Sequence, residues 1–182
     1  MANKQTYIAF LRGINVGGNH KVPMAELRKE MGKMGFENVK TLLNSGNVIF
    51  DTVSKQETKL EEEIASHLEK FFKFPIPVLI RKSEELIQLI DENPFKKIKV
   101  TPDIRLYVSF LKKMPDKKIA LPWISEDQSF KIIDIRDKTL CSVLDLSFTK
   151  TPKGMDSLEQ LFGKNITTRN LNTLNKIINN LS

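Results

Sequence analysis

Apolar positions along the chain change their spacing several times, and each change marks an element. Residues 7–11, Tyr-Ile-Ala-Phe-Leu, form a short continuous apolar run ahead of a glycine-rich stretch and read as a strand. Met24, Leu27, Met31 and Met34 then recur at three- and four-residue spacing. They predict a helix over 23–34, opened by Pro23 and closed by Gly35 just past its end. Residues 39–43 and 48–50 read as two strands joined by the turn Asn44-Ser45-Gly46-Asn47. Ser54-Lys55-Gln56-Glu57 has the form of a capping box, and Leu60, Ile64, Leu68 and Phe71 behind it fall on one helical face. Pro75 ends that helix and residues 76–80 read as a strand. The order is βαββαβ, that of a ferredoxin-like unit.

The second half repeats much of this. Leu106-Tyr107-Val108-Ser109-Phe110-Leu111 echoes Thr6-Tyr7-Ile8-Ala9-Phe10-Leu11 one hundred residues later. Each copy is followed by a basic residue and then by a proline suited to a helix start, Pro23 or Pro115. Between the halves, a helix begins at Ser83 and stops near Pro94. After the strand over 104–111, a short helix is expected over 115–120, a hairpin from 130–135 and 139–146 around Arg136-Asp137-Lys138, and a helix capped by Asp156 ending at Gly163. Thr168 is expected to cap a final helix carrying Leu171, Leu174, Ile177, Ile178 and Leu181. The expected fold is α+β: two tandem ferredoxin-like α/β sandwich units with antiparallel sheets, over 1–82 and 104–182, linked by 83–103, the second ending in a C-terminal helix where the first ends in a strand.

The repeat isolates one insertion. Eleven residues, Arg12 to Val22, separate the first strand from its helix, whereas the corresponding connection in the second half has three. Long connections in compact domains are disproportionately functional. This one reads Arg12-Gly13-Ile14-Asn15-Val16-Gly17-Gly18-Asn19-His20-Lys21-Val22. Its outer glycine spacing is that of a P-loop, but Asn19-His20 replaces the required Lys-(Ser/Thr), and the glycines do not fit a dinucleotide-binding fingerprint. What remains is generic. Glycines allow positive φ and exposed N–H groups, and Arg12, Asn15 and Lys21 supply donors. Two readings stay open: a site for a small phosphate- or carboxylate-bearing ligand at Arg12, Gly13, Asn15, Gly17, Gly18 and Lys21, or a long structural turn.

Composition narrows the alternatives. The chain has 182 residues, a net charge of +7 and one cysteine. No apolar run nears the roughly 18 residues of a membrane span. The first five residues have no signal-peptide core, and a lone cysteine suits a reducing compartment, so a cytoplasmic location is expected. The positive charge is spread over both halves, which leaves non-specific nucleic-acid binding through a basic surface as an alternative. Tyr7 and Phe10 fall on opposite strand faces, and residues 48–50 lack a basic-Gly-aromatic run. An RNA-recognition stacking platform is therefore not expected.

Several segments together resemble the bacterial family catalogued as domain of unknown function 1697. They are Tyr7-Ile8-Ala9-Phe10-Leu11-Arg12-Gly13-Ile14-Asn15-Val16-Gly17-Gly18 with Lys21-Val22-Pro23-Met24-Ala25-Glu26-Leu27, then Asn44-Ser45-Gly46-Asn47-Val48-Ile49-Phe50, and Thr167-Thr168-Arg169-Asn170-Leu171-Asn172-Thr173. The last departs at Leu171, where the family usually carries tryptophan, so no aromatic stacking group is expected there. The resemblance implies a duplicated ferredoxin-like fold and no stated activity.

Reactive groups are sparse. His20 and His67 lie far apart without a metal-ligand pattern, and no cofactor is called for. His67 is expected beside the polar face of the second helix, in solvent. Cys141, within a strand, reads as a buried inert thiol. Ser45 has no evident His or Asp partner, so an enzyme of unknown reaction at the glycine loop is a third alternative without named catalytic residues. Asn44, Ser45, Gly46 and Asn47 are first of all turn residues. The loop after strand one and this turn are expected at opposite ends of the sheet. Thr168, Arg169 and Asn170 form a secondary anion-site candidate at a helix N-terminus.

Overall fold

The computed structural model describes residues 3–114, 119–148 and 154–181. They hold two antiparallel sheets and five helices, an α+β arrangement without a closed barrel. The chain divides into two compact units, Met1–Gln88 with Lys176–Ser182, and Leu89–Asn175.

The first unit contains β1 (Lys4–Leu11), α1 (Met24–Lys33), β2 (Glu37–Leu42), β3 (Asn47–Val53), α2 (Glu57–Phe72), β4 (Val78–Lys82) and the start of α3 (Ser83–Glu92). Its sheet order is β2-β3-β1-β4. Strand alternation sends Tyr7, Ala9, Leu11, Val48, Phe50, Val78 and Ile80 to one face. There they form a core with Leu27 and Met31 of α1 and Leu60, Ile64 and Leu68 of α2. Each fully buried side chain of this size contributes about 1.5–3 kcal/mol. The other face of β1 is equally closed, with Ile8 and Phe10 at 0% exposure. Tyr7 keeps its hydroxyl satisfied inside the core: it donates to the Lys55 carbonyl at 2.9 Å and accepts from the Lys55 N–H at 3.1 Å.

Those bonds also set where α2 begins. The capping box is not used; α2 starts at Glu57 with Gln56 at its N-cap and no side-chain cap. The segment before it stays extended because the Ser54 N–H is held by the Asn3 carbonyl and Lys55 by Tyr7. Phe71 also leaves the expected face. It is 42% exposed, while Phe72 packs on the core four residues after Leu68. β4 is an edge strand, and its Ile80 N–H donates to Glu61 Oε1 at 3.0 Å, a carboxylate on the edge that discourages further strand pairing.

The second unit holds the end of α3, then β5 (Ile104–Leu111), β6 (Trp123–Ile124), β7 (Phe130–Arg136), β8 (Thr139–Asp145), α4 (Gly154–Phe162), β9 (Ile166–Asn170) and most of α5 (Leu171–Ile178). Its sheet order is β6-β7-β8-β5-β9. Leu111, Phe130, Ile132, Leu140, Leu144 and Ile166 pack with Leu158 of α4. Two elements differ from expectation. β6 was not foreseen, being only two residues long. Residues 166–170 form a strand along β5, so the second half has a fourth principal strand before its final helix. The helix expected over 115–120 falls largely outside the described residues.

His67 is not free in solvent. Its Nε2 lies 2.9 Å from Glu30 Oε2, and Lys33 donates to the other oxygen of Glu30 at 2.6 Å. Glu30 is 3% exposed. The Lys33 hydrogen bond, with help from His67 and against burial, holds this carboxyl below its ordinary value of 4.5. Glu30 therefore binds fewer protons folded than unfolded. Its stabilising contribution is complete above the ordinary carboxylate range and is lost as pH falls through the lowered value. Glu30→Gln should lower the melting temperature at neutral pH, and the gap to the parent should narrow in melts run at about pH 3. A gap that stays constant across that range would remove Glu30 as the titrating group.

Candidate functional site

Every residue from Tyr7 to Leu11 is buried on both sides of the sheet, so in this part of the first unit a ligand meets the connections and not the sheet faces. At the C-terminal end of β1 three connections come together. The Leu11 N–H donates to the Gly46 carbonyl at 2.8 Å and the Arg12 N–H to the Pro77 carbonyl at 3.0 Å. Asn15 Nδ2 donates to the carbonyls of Val22 at 3.0 Å and Asn44 at 2.9 Å, and its Oδ1 accepts from the Val22 N–H at 2.8 Å. The Arg12–Val22 loop and the Asn44 turn thus share one end of the sheet, contrary to expectation. β1 and β3 are antiparallel neighbours, with Phe10 opposite Asn47, so the end of β1 must face the turn that starts β3.

The loop is itself a small hairpin. The Asn15 N–H donates to the His20 carbonyl at 3.0 Å and the Asn19 N–H to the Val16 carbonyl at 3.1 Å. Gly17 and Gly18 sit between at φ 60° and 80°, a type I′ turn that requires two left-handed residues. Turn geometry alone accounts for these glycines. Ile14 and Val22 root the loop in the core at 3% and 2% exposure, while Val16, at 69%, is carried out into solvent. His20 stacks on Phe74, ring centroids 4.5 Å apart, with its Nδ1 3.2 Å from the Gly13 carbonyl. Arg12 is half-buried and Lys21 exposed.

This end is conformationally costly. Asn15, His20, Leu43 and Lys73, none of them glycine, all adopt positive φ, from 51° to 67°. Each such residue costs on the order of 1 kcal/mol or more, and strain of this kind collects at functional sites. Asn47, at the base of the turn, is fully buried and donates to the Leu42 carbonyl at 2.9 Å and to Ser45 Oγ at 3.0 Å.

The third group of candidates lies in the second unit. Thr168 does not cap a helix. It lies in β9, with its hydroxyl 2.7 Å from that of Ser109. Asn170 caps α5 instead, its Oδ1 accepting from the Asn172 N–H at 2.9 Å. Arg169 donates to Thr167 Oγ1 and the Thr168 carbonyl, and burial lowers its pKa to about 10, which leaves it charged at neutral pH. An open helix N-terminus is therefore not what this segment presents.

The remaining chemistry is quiet. Cys141 is 2% exposed and burial raises its pKa to about 12, so it is not a nucleophile. Among the described residues no group of three or more His, Cys, Asp or Glu side chains could hold a metal ion, and no helix is long and apolar enough to cross a membrane. Tyr7, Phe10 and Phe110 are buried, so these strand aromatics form no base-stacking surface.

The two ends of the loop system respond differently to one added methyl group. A Cβ at Gly46, φ 73°, would lie 2.7 Å from both Leu11 Cβ and Ile14 Cδ1, whereas one at Gly17 meets nothing within 4 Å. Gly46→Ala should cost about 2–4 kcal/mol from left-handed strain plus overpacking, and Gly17→Ala about 1–2 kcal/mol from strain alone. Denaturant unfolding of the two variants measures the difference, and equal losses would show that the turn is not packed on the loop base.

No curated protein matches the sequence. Among solved structures, the conserved bacterial protein SP0830 from Streptococcus pneumoniae shares the fold. The TM-score is 0.74 at 24% identity, over 97% of this chain and 98% of that one. The family model described as Protein of unknown function (DUF1697) matches residues 4–139, a span that takes in β1, the glycine loop and the Asn44 turn and stops before the Thr167–Thr173 segment, and the chain belongs to that family.

Proposed function

We propose that this protein binds a small anionic ligand, one bearing phosphate or carboxylate, at the C-terminal end of β1. The observation that carries the reading is the convergence there of three strained connections. They bring the Arg12–Lys21 loop and the Asn44-Ser45-Gly46-Asn47 turn together on one rigid frame. The root of Arg12 is fixed by its N–H bond to Pro77, and its planar guanidinium suits bidentate contact with phosphate or carboxylate. Lys21 adds a second cation on the exposed side of the loop. Asn15 acts as the positioning residue, since all of its side-chain bonds hold the loop in place. Gly13, Gly17 and Gly18 shape the loop.

We infer, as a second part of the reading, that residues 1–82 and 104–182 are tandem ferredoxin-like units descended from a duplication. β1 sits between β3 and β4 and β5 between β8 and β9, and the registers against β4 and β9 match. Ile8 lies opposite Arg81 and Leu11 opposite Val78; Val108 lies opposite Arg169 and Leu111 opposite Ile166. A crystal structure should superimpose Tyr7 on Tyr107 and Phe10 on Phe110, and non-equivalent positions for the two strands would refute the duplication.

Anion binding is tested by thermal shift and calorimetry with inorganic phosphate, sulfate and citrate. At least one should raise the melting temperature of the parent protein. Arg12→Lys should weaken that binding by roughly ten- to a hundredfold, the loss of one charge-assisted contact worth about 1.5–3 kcal/mol, with little change in unliganded stability. If no anion stabilises the parent, and Arg12→Lys merely melts earlier, the loop is structural.

A further inference from the structure

A cleft of about 240 Å³ opens on the second unit, and it has a chemical character unlike the basic end of β1. Leu89 and Ile90 from α3, Pro94 and Phe95 from the turn after it, and Leu171 from α5 give it an apolar lining. Two polar side chains complete it, Asn93 and Asn175. Neither side-chain amide hydrogen-bonds another described residue. Among the described residues, no charged side chain lines the cleft.

The framework is firm. The Asn93 N–H is held by the Ile90 carbonyl at 3.1 Å, the Lys96 N–H by the Asn93 carbonyl at 3.1 Å and the Ile98 N–H by the Phe95 carbonyl at 2.8 Å. Asn93 is kept at φ 45° by this turn. Leu171 and Asn175 are one helical turn apart, so α5 presents both on the same side.

We propose that this cleft binds an uncharged, planar, single-ring ligand with an N–H donor beside a carbonyl acceptor, a cyclic imide or lactam of the pyrimidine-base type. Three physical constraints select that class. The cleft is open and its two asparagines are exposed, but its described lining offers no countercharge to attract phosphate or carboxylate and presents mostly apolar surface, which favours an uncharged ligand. The volume falls below the roughly 300–1,000 Å³ of sites for larger ligands, which limits the ligand to one ring. Each asparagine amide offers both donors and an acceptor, and an apolar slot with such groups suits a flat ring whose edge carries the same pair. This proposal is independent of anion binding at Arg12.

The probe is uracil, titrated into the isotope-labelled full chain while the side-chain amide resonances of Asn93 and Asn175 are followed by NMR. Saturable shifts at both amides are expected, with Kd on the order of a millimolar for so small a ligand. Asn93→Gly, which tolerates the positive φ, and Asn175→Ala should each weaken binding by roughly two- to tenfold. Leu171→Trp, which fills the cleft, should abolish it. 1,3-Dimethyluracil, which keeps the ring but lacks the N–H donors, should bind about tenfold more weakly. Melting curves of the variants establish that each is folded, and if Leu171→Trp is not, the two amide variants decide. Absence of shifts at the two amides up to about 20 mM uracil would overturn the proposal. So would equal affinity for the dimethylated ring, or undiminished binding by the double amide variant.

Discussion

β1 is surrounded. Its last five residues are closed off on both faces, and both of its edges are hydrogen-bonded, to β3 and to β4. Every other feature of the first unit follows from that. The Tyr7–Leu11 stretch has no solvent contact, and the backbone groups where the chain leaves it still need partners. Leu11 and Arg12 find them in Gly46 and Pro77, which belong to two other connections. The exit from the central strand is therefore also the point at which three loops are tied together. A long insertion at this place inherits a fixed base, and Ile14 and Val22 use it by returning to the core on either side of the exposed tip.

The strain at this end fits the same constraint. Non-glycine residues in left-handed conformation persist where the surrounding structure over-determines them. Asn15 shows how: one carboxamide bridges both strands of the loop hairpin and the neighbouring turn, and Asn is among the residues that tolerate positive φ best. Leu43 is the opposite case, a bulky apolar residue at φ 60° and 48% exposed, with neither local bonding nor burial to favour it. It is forced into place by the sharp reversal between β2 and β3.

Much of this architecture was legible because period and punctuation are local properties. The strand over 104–111 and the buried face of Leu60, Ile64 and Leu68 emerge from spacing alone. Three of the misreadings share one cause, which is that a tertiary contact took a group with an equally good local use. Ser54 could cap α2, but the chain there pairs with Asn3 and Tyr7. Thr168 could cap α5, but β5 offers a ladder, and the shift moves the cap two residues on to Asn170. His67 could face water, but a buried carboxylate on α1 lies within reach. The shared location of the loop and the Asn44 turn was deducible from strand order, since antiparallel neighbours put the end of one beside the start of the other. The function of the loop was not legible in the same way, because a type I′ turn and an anion cradle demand the same glycines.

The two central strands also show how the same register serves different chemistry. Opposite Ile8, Arg81 is 1% exposed and burial lowers its pKa, opposed by the nearby carboxylates Glu57, at 3.9 Å, Glu85 and Glu61. Opposite Val108, Arg169 sits on a short edge strand, and its bonds include one to a threonine hydroxyl and one to a backbone carbonyl. A buried guanidinium is expensive wherever it lies, and removing a partner from it usually costs more than the pair contributed. Tyr7 and Tyr107 differ in the same sense. The first is fully enclosed and doubly hydrogen-bonded, and the second only partly buried against its core. The first unit encloses the Tyr7–Leu11 stretch of its central strand and carries its accessible chemistry on the loops beyond it. In the second, α4 sets Leu158 against the sheet core, and the central tyrosine stays partly open to solvent.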